Sequence, residues 1–161
     1  MKGQGFLSRL KKEGKLKLVE PSEDIYESYA RKSGDCLRSG KILLRNGLYE
    51  NSISECYYAM YNALTALLYR CGIKCENHTG SIMLLGKAFG RRVLSEAIGE
   101  AKKERVDKQY YIASGNGDKM NREDAKRMVK AAEEFTLEIR LIADAIGEKD
   151  VEGIRKSVAG Y

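Results

Sequence analysis

The chain has 161 residues, a formal net charge of +6 and a single proline, which fits one domain that buries a sizeable core. The scarcity of proline and the many alanine, leucine, glutamate and lysine residues favour an all-α fold. The first residues lack the apolar segment of a signal peptide, and no uncharged stretch is long and apolar enough to cross a membrane. The composition therefore predicts a cytoplasmic protein that makes no contact with a membrane.

Residues 1–21 are predicted to form a basic N-terminal arm. Residues 1–18 contain six lysines or arginines and only one acidic residue, Glu13. Such an arm could contact the phosphates of a nucleic acid, or it could be a solvated, flexible leader. The sequence leaves both interpretations open.

A helical bundle is predicted to follow, over residues 22–147. Ser22 is a suitable N-cap for the first long helix, and two acidic residues follow it in the first turn, where the helix dipole favours them. Gly47 can adopt the left-handed conformation that ends this helix. Because only residues 48–51 connect it to the next helix, the two helices are expected to pack antiparallel.

The central helix is predicted over residues 52–69, and it carries no charge from Cys56 to Tyr69. A helix without a charged face is expected to be packed on most of its circumference. One face follows the helical period and is predicted to be core: Ile53, Tyr57, Met60, Leu64 and Leu68.

A second stripe of the central helix is polar and aromatic. From this stripe, Tyr58, Asn62 and Tyr69 are expected to face a cleft or a partner subunit rather than open water. In a cleft they could line a nucleotide pocket, since aromatic rings are platforms for base stacking. At a dimer seam they would bury apolar rings and keep polar tips.

The third helix is predicted to begin near Ser81 and to be broken at Gly90. Gly99 is expected to separate its continuation from a charged helix that ends near Ala113. A turn is predicted at 114–118.

Asn121 is the predicted N-cap of the last long helix, and Gly147 is predicted to end it. Residues 148–161 are expected to form a tail or one short helix. The overall prediction is an up-down helical bundle of four to five main helices with a short C-terminal helix, and no strand pattern is found.

The four cysteines raise the question of a metal site. Cys71, Cys75 and His78 superficially resemble a ligand cluster, but the fourth ligand would have to be Cys56, inside the central helix. Zinc ligands usually come in two compact pairs, so buried reduced thiols are the better interpretation. Neither a metal nor another cofactor is predicted.

Five motifs follow one another in the order and at the spacing of a known family. They are Tyr57-Tyr58-Ala59-Met60-Tyr61, Gly72-Ile73-Lys74, Asn77-His78-Thr79-Gly80-Ser81-Ile82, Arg105-Val106-Asp107-Lys108-Gln109-Tyr110 and Glu123-Asp124-Ala125. Together they resemble the HEPN domain family over roughly residues 22–146. The resemblance implies a helical bundle that pairs as a homodimer and binds nucleotides or RNA. Many such relatives are metal-independent endoribonucleases, or toxins paired with a small nucleotidyltransferase antitoxin.

The catalytic signature of that family is an arginine, a polar residue, a short spacer and a histidine. Arg105 matches the arginine, but Val106 follows it and Tyr110 stands where the histidine would be. Cleaving RNA without a metal requires a group that moves the proton of the 2′-hydroxyl and one that stabilises the phosphorane charge. Arg105 suits the second task. Tyr110, with an ordinary pKa of about 10, is a poor base, and His78 could act only if its loop folds over the same cleft.

The leading hypothesis is a homodimeric, HEPN-like protein that binds a nucleotide or RNA, with Arg105 and Lys108 contacting phosphate. Its protein partner would be a small nucleotidyltransferase, in a toxin–antitoxin setting. One alternative is a metal-independent endoribonuclease that uses Arg105 with Tyr110 or His78. Another is a non-catalytic, dimeric interaction module.

Each candidate site residue also has a purely structural interpretation. Arg105 could form a surface ion pair, and Tyr110 could be a packing aromatic. His78 could cap the third helix or bond to a backbone carbonyl.

Overall fold

Helices make up most of the part of the chain that the structure describes. This computed structural model describes the backbone of residues 2–114 and 120–161, with the side chains of these ranges except 2, 4 and 106–114. The helices are α1 (Lys2–Lys12), α2 (Glu23–Arg45), α3 (Tyr49–Arg70), α4 (His78–Lys87), α5 (Arg92–Ser114), α6 (Arg122–Ala145) and α7 (Glu148–Ala159), and the strands are β1 (Leu16–Leu18) and β2 (Ile73–Cys75). The predicted all-α bundle with a short C-terminal helix is confirmed.

The predicted ends of α2 are also confirmed. The Ser22 hydroxyl oxygen accepts a hydrogen bond from the Ile25 amide (3.2 Å), as an N-cap does. Gly47, two residues beyond the last residue of α2, has a φ of 74°. A side chain is strained in this conformation, so glycine is the residue best suited to this turn.

Small side chains let α2 and α3 approach each other closely. The Ser33 hydroxyl donates a hydrogen bond to the Ala59 carbonyl oxygen (2.6 Å), and the Ser52 hydroxyl donates one to the Gly40 carbonyl oxygen (2.7 Å). Because position 33 meets 59 while 40 meets 52, the two helices run antiparallel, as predicted. A Cβ atom added to Gly40 would lie 2.6 Å from the Cys56 Sγ, so this crossing has no room for a larger residue.

Helix α3 is the central element of the bundle. Its predicted core face, formed by Ile53, Tyr57, Met60, Leu64 and Leu68, is at most 2% exposed. Helix α2 covers one side of α3 and α6 covers another, with α4, α5 and β2 in further contact. In the described ranges, no helix combines the length and apolar character that crossing a bilayer requires.

The N-terminal segment packs onto the bundle, so its interpretation as a solvated leader is wrong. Leu7, Leu10 and Leu16 are at most 2% exposed. Strand β1 pairs antiparallel with β2, with Leu16 opposite Cys75 and Leu18 opposite Ile73. The two strands were not predicted, because three residues are too few to show an alternating pattern.

The predicted break at Gly90 is confirmed, whereas the break at Gly99 is wrong. Gly90 has a φ of 66° and lies between α4 and α5. Helix α5 runs without interruption through Gly99, since one glycine weakens a helix without ending it. Of the turn predicted at 114–118, residues 115–118 lie outside the described residues.

One arginine, Arg155, makes several of the hydrogen bonds that attach helix α7 to the bundle. The Arg155 guanidinium donates to the carbonyl oxygens of Val19 (2.7 Å), Gly72 (2.7 Å) and Cys71 (3.2 Å). These carbonyls follow β1 and end α3, so a single side chain joins three separate parts of the chain.

Replacing Gly40 by alanine is expected to destabilise the protein by about 1–3 kcal/mol, because the new methyl group overlaps Cys56. Gly34→Ala on the same helix is the matched control, since its added Cβ meets nothing within 4 Å. That control should stabilise the protein by up to about 1 kcal/mol, through helix propensity. Urea unfolding of both variants measures the difference. Equal stabilities would contradict the close crossing of α2 and α3.

Candidate functional site

The polar-aromatic stripe of α3 lines an open cleft with a volume of about 610 Å³. We call it the tyrosine cleft. Its lining residues come from α2, α3, β2 and the start of α4, and they are Tyr29, Lys32, Cys36, Glu55, Tyr58, Tyr61, Asn62, Thr65, Tyr69, Lys74, Cys75, Glu76 and His78. Tyr58, Asn62 and Tyr69 thus lie together on one surface of the monomer, where the helical spacing placed them.

Two tyrosines form a flat wall at one end of the tyrosine cleft. The rings of Tyr29 and Tyr69 are stacked, with centroids 5.6 Å apart and planes 7° apart. The Lys32 ammonium lies 6.0 Å from the centroid of the Tyr29 ring. Lys74, paired with Glu76 at 2.7 Å, adds a second cation to the lining of the cleft. This wall therefore combines aromatic surface with charged groups, and two carboxylates, Glu55 and Glu76, line the cleft beside the two lysines.

Asn62 is a buried polar residue in the lining of the cleft. This residue is 6% exposed, and its amide nitrogen donates to the Tyr58 carbonyl oxygen (2.8 Å) and lies 3.7 Å from the Cys36 Sγ. Burial raises the pKa of the Cys36 thiol, and the nearby Glu55 carboxylate raises it further. Cys36 is therefore a neutral thiol at neutral pH, not a reactive thiolate.

Arg105, on α5, contacts Tyr58, which lines the tyrosine cleft. Its Nη2 donates to the Tyr58 hydroxyl (3.0 Å), and its guanidinium carbon lies 4.8 Å from the Tyr58 ring centroid and 5.5 Å from that of Tyr57. The Nε atom of Arg105 is buried and has no hydrogen-bond partner among the described residues. Two residues that were singled out separately in the sequence, Arg105 and Tyr58, are therefore in direct contact.

His78 lies at the same end of the cleft as Arg105. Its Nδ1 is 2.8 Å from the Tyr57 hydroxyl, and its ring is stacked on Tyr61 with centroids 3.7 Å apart. Burial lowers the pKa of His78 below its usual 6.5, and the charges of Lys102 and Arg105 lower it further. The imidazole is therefore neutral at neutral pH.

His78 does not cap α4, so that structural interpretation is wrong. The cap is Asn77, whose side-chain oxygen accepts a hydrogen bond from the Gly80 amide (2.8 Å). His78 is the first residue of α4, and among the described residues its only hydrogen-bonding contact is the Tyr57 hydroxyl. The His78 ring therefore makes no hydrogen bond to a backbone carbonyl of the described residues, which was the other structural role that the sequence left open.

Lys102 belongs to the same group, although sequence reasoning missed it. Its Nζ donates to the Thr79 hydroxyl (2.7 Å), directly beside His78. Lys102 and Arg105 are three positions apart on α5, a spacing that places both side chains on one helix face. That spacing was the available signal, but α5 has charges on every side and the sequence does not show which face meets α4.

The side chains of Lys108 and Tyr110 lie outside the described residues. Both positions belong to α5, within about a turn and a half of Arg105. Their roles in phosphate contact and in catalysis stay predictions.

The cysteines have partners that suit buried thiols. Cys71 is fully buried, which raises the pKa of its thiol to about 11. The Cys75 thiol donates to the Asn77 carbonyl oxygen (3.5 Å). Within the described ranges, no three His, Cys, Asp or Glu side chains are grouped closely enough to hold a metal ion.

Comparison with known proteins shows the class to which this fold and cleft belong. A family model described as the HEPN domain matches residues 26–142, which is most of the chain. This chain therefore belongs to the HEPN domain family, as the motif resemblance indicated.

Several curated relatives are similar to this chain. A UPF0332 protein of Thermotoga maritima is 24% identical over 140 residues, which cover 86% of this chain and 100% of that protein. A protein of Methanocaldococcus jannaschii named "Putative toxin" is 30% identical over 108 residues, 65% of this chain and 78% of its own length. A UPF0332 protein of Pyrococcus horikoshii is 38% identical over 63 residues, 39% of this chain and 44% of its own length.

The lowered pKa of His78 predicts a specific pH dependence of stability. Because the unfolded chain binds this proton at a higher pH than the folded chain, the free energy of unfolding should fall as the pH drops below about 6.5. The fall should end near the folded-state pKa. Chemical denaturation at about pH 7.5 and about pH 5.5 measures it. His78→Gln removes the only histidine of the chain and should reduce this dependence. An unchanged dependence in the variant would contradict the direction of the shift.

Proposed function

We propose that this HEPN protein binds a nucleotide or single-stranded RNA in the tyrosine cleft, with a phosphate held by Arg105. The observation that carries the proposal is the buried Arg105 Nε, which has no partner among the described residues. A buried N–H group without a partner is rare in folded proteins, and a bound anion is one source of the missing acceptor. Arginine binds phosphate through paired, charge-assisted hydrogen bonds, so a phosphate oxygen is a fitting acceptor.

The cationic group around Arg105 supports an anionic ligand. Lys102 lies about one turn before Arg105 on α5, and the charges of both lower the pKa of His78, which lines the cleft. The N-terminus of α4, which begins at His78, adds the positive end of a helix dipole. No carboxylate of the described residues forms an ion pair with Lys102 or Arg105 closer than 4 Å, so their charge is not neutralised by a salt bridge there.

The aromatic wall supports a base as the other half of the ligand. Stacking on an aromatic ring contributes about 1–3 kcal/mol per base and tolerates any base. Tyr29 and Tyr69 present such a surface, and Lys32, near the Tyr29 ring, would meet a further phosphate. Aromatic rings in the cleft, together with an arginine in contact with the Tyr58 lining, fit the two parts of a nucleotide.

The assembly of the protein is part of the same proposal. By its family resemblance the chain forms a homodimer and acts as the toxin-like partner of a small nucleotidyltransferase. The relative from Methanocaldococcus jannaschii whose name describes it as a toxin supports the toxin-like setting. Co-expression with a nucleotidyltransferase encoded beside this chain, followed by light scattering, tests the pairing.

A metal-independent endoribonuclease is the second candidate, and the position of His78 favours it. The sequence analysis required the loop that carries His78 to fold over the cleft before His78 could act in catalysis. His78 does line the tyrosine cleft, and the charge of Arg105 lowers its pKa. Arg105 would stabilise the phosphorane charge, while Tyr110 or His78 would take part in proton transfer.

Arg105→Ala is expected to weaken binding of a fluorescent single-stranded RNA about tenfold or more, because a charged hydrogen-bond donor is lost. The slope of log affinity against log salt concentration should also become less steep, by about one unit. Fluorescence anisotropy at about 50 mM and about 200 mM salt measures both effects. Arg92→Ala, at the exposed start of the same helix, is the matched control and should bind as the wild type does. Equal affinities for both variants would overturn the role of Arg105.

Cleavage of single-stranded RNA in the presence of a chelator separates the two candidates. If the protein is a metal-independent endoribonuclease, the wild type cleaves the RNA in chelator and Arg105→Ala does not. A binding protein gives intact RNA with all variants. Equal cleavage by wild type and Arg105→Ala would indicate a contaminating nuclease.

A further inference from the structure

The hydroxyl group of Tyr57 contacts a ring nitrogen of His78 and bears on which nitrogen of that ring carries the proton. Tyr57 is 0% exposed, and its hydroxyl lies 2.8 Å from the His78 Nδ1. That contact is the only hydrogen bond of the Tyr57 hydroxyl to a described residue. Either the Tyr57 oxygen or the His78 Nδ1 can carry the proton of this hydrogen bond, and the neighbouring groups decide between the two arrangements.

If the Nδ1 of His78 carried the proton, it would donate to the Tyr57 oxygen. The phenolic hydrogen of Tyr57 would then need another acceptor, and none is present among the described residues around this fully buried group. A buried O–H group without an acceptor is unfavourable. In the alternative, the Tyr57 hydroxyl donates to an unprotonated Nδ1, and neither residue is left with a buried polar atom that lacks a partner.

A proton on both ring nitrogens is disfavoured by the charges around the ring. Lys102 and Arg105 on α5 are the cations that face His78, and Tyr57 and Tyr61 on α3 contribute only neutral hydroxyl groups. Burial raises the pKa of Tyr57 to about 12, so this phenol keeps its proton at neutral pH. His78 is therefore neutral with one proton, and that proton is on Nε2.

We propose that Tyr57 is a positioning residue that holds His78 as the Nε2–H tautomer, so that His78 donates a hydrogen bond to the ligand in the tyrosine cleft. Nε2 points away from Tyr57, and it makes no hydrogen bond to any described residue. The ring is stacked on Tyr61 at 3.7 Å, which limits its rotation. Together with Arg105 and Lys102, this end of the cleft then presents hydrogen-bond donors, which suits the oxygens of a phosphate.

This assignment also restricts the ribonuclease candidate. A general base must offer an unprotonated nitrogen within hydrogen-bond distance of the proton that it takes. In the proposed tautomer, the unprotonated Nδ1 is occupied by Tyr57, and Nε2 already carries a proton. His78 can therefore donate a hydrogen bond to a phosphate oxygen, but it cannot accept the proton of a 2′-hydroxyl.

The test is nitrogen-15 NMR of the free protein labelled at histidine. The chain has a single histidine, so both ring nitrogens are assigned without ambiguity. At a pH well above the His78 pKa, we expect a pyrrole-type signal for Nε2 and a pyridine-type signal for Nδ1. The opposite pattern in the wild type overturns the proposal.

Two matched variants separate positioning from packing. Tyr57→Phe keeps the ring and removes the donor, so the two nitrogen signals should move towards the averaged positions of an exchanging imidazole. The pKa of His78 should rise at the same time, because the neutral form loses a hydrogen bond. Tyr61→Phe removes a hydroxyl from the stacked ring and should leave the tautomer unchanged. A Tyr57→Phe spectrum identical to that of the wild type overturns the role of Tyr57.

The donor role rests on the proposed function and is tested by adding a short single-stranded RNA. Binding should shift the Nε2 and Nε2–H signals, and His78→Ala should weaken binding more than His78→Gln, which keeps an N–H donor. RNA that binds without moving these signals overturns the donor role. RNA that does not bind at all overturns the proposed function and the donor role with it, whereas the tautomer is decided by the free protein alone.

Discussion

The structure depends on the burial of one helix that has no charged face but carries several polar groups. Helix α3 is covered on most sides, and its buried polar groups have to find partners inside the fold, because water cannot reach them. Ser52 meets this requirement at the Gly40 carbonyl oxygen, and Asn62 meets it at the Tyr58 carbonyl oxygen. Tyr57 meets it through His78, which comes from another helix. The same requirement therefore fixes both the core and one end of the tyrosine cleft.

The packing of α5 against α3 and α4 brings two cations, Lys102 and Arg105, close to His78. Lys102 bonds to Thr79 at the start of α4, and Arg105 bonds to Tyr58 on α3. Both contacts hold long, flexible side chains in one place before any ligand arrives. Preorganised donors lose less conformational entropy on binding than free ones, which favours affinity for a small anion. The tyrosine rings below Arg105 add cation–π attraction, so the charge is partly supported from within the protein.

Much of this arrangement could be predicted from the sequence, and the remainder depends on contacts between distant positions. The face of α3 that carries Tyr58, Asn62 and Tyr69 follows from helical spacing alone. The pairing of Tyr57 with His78 does not, because a loop and a strand separate the two positions and set their geometry. Lys102 was missed for a similar reason, since the orientation of α5 is decided by its packing.

The burial of the N-terminal segment was not predicted, because its charges outnumber its few leucines. Leu7, Leu10 and Leu16 are nevertheless fully buried, and three apolar side chains suffice when the bundle already offers a surface for them. The extra helix break placed at Gly99 has a comparable origin, because a residue preference describes a single position and the neighbouring turns of α5 outweigh it. Local composition was therefore a poor guide where tertiary packing decides.

The guanidinium of Arg155 has a consequence for how the protein folds and opens. Its hydrogen bonds join positions that are 136, 84 and 83 residues apart, so each closes a very long loop. Long loops cost more entropy to close than the short connection between α2 and α3, so the hairpin of these two helices can form before α7 docks. When α7 detaches, the carbonyl oxygens after β1 and at the end of α3 lose their shared donor together. Lys11 near the start of the chain also donates to the Ala159 carbonyl oxygen (2.7 Å), so opening one end of the described chain removes contacts of the other.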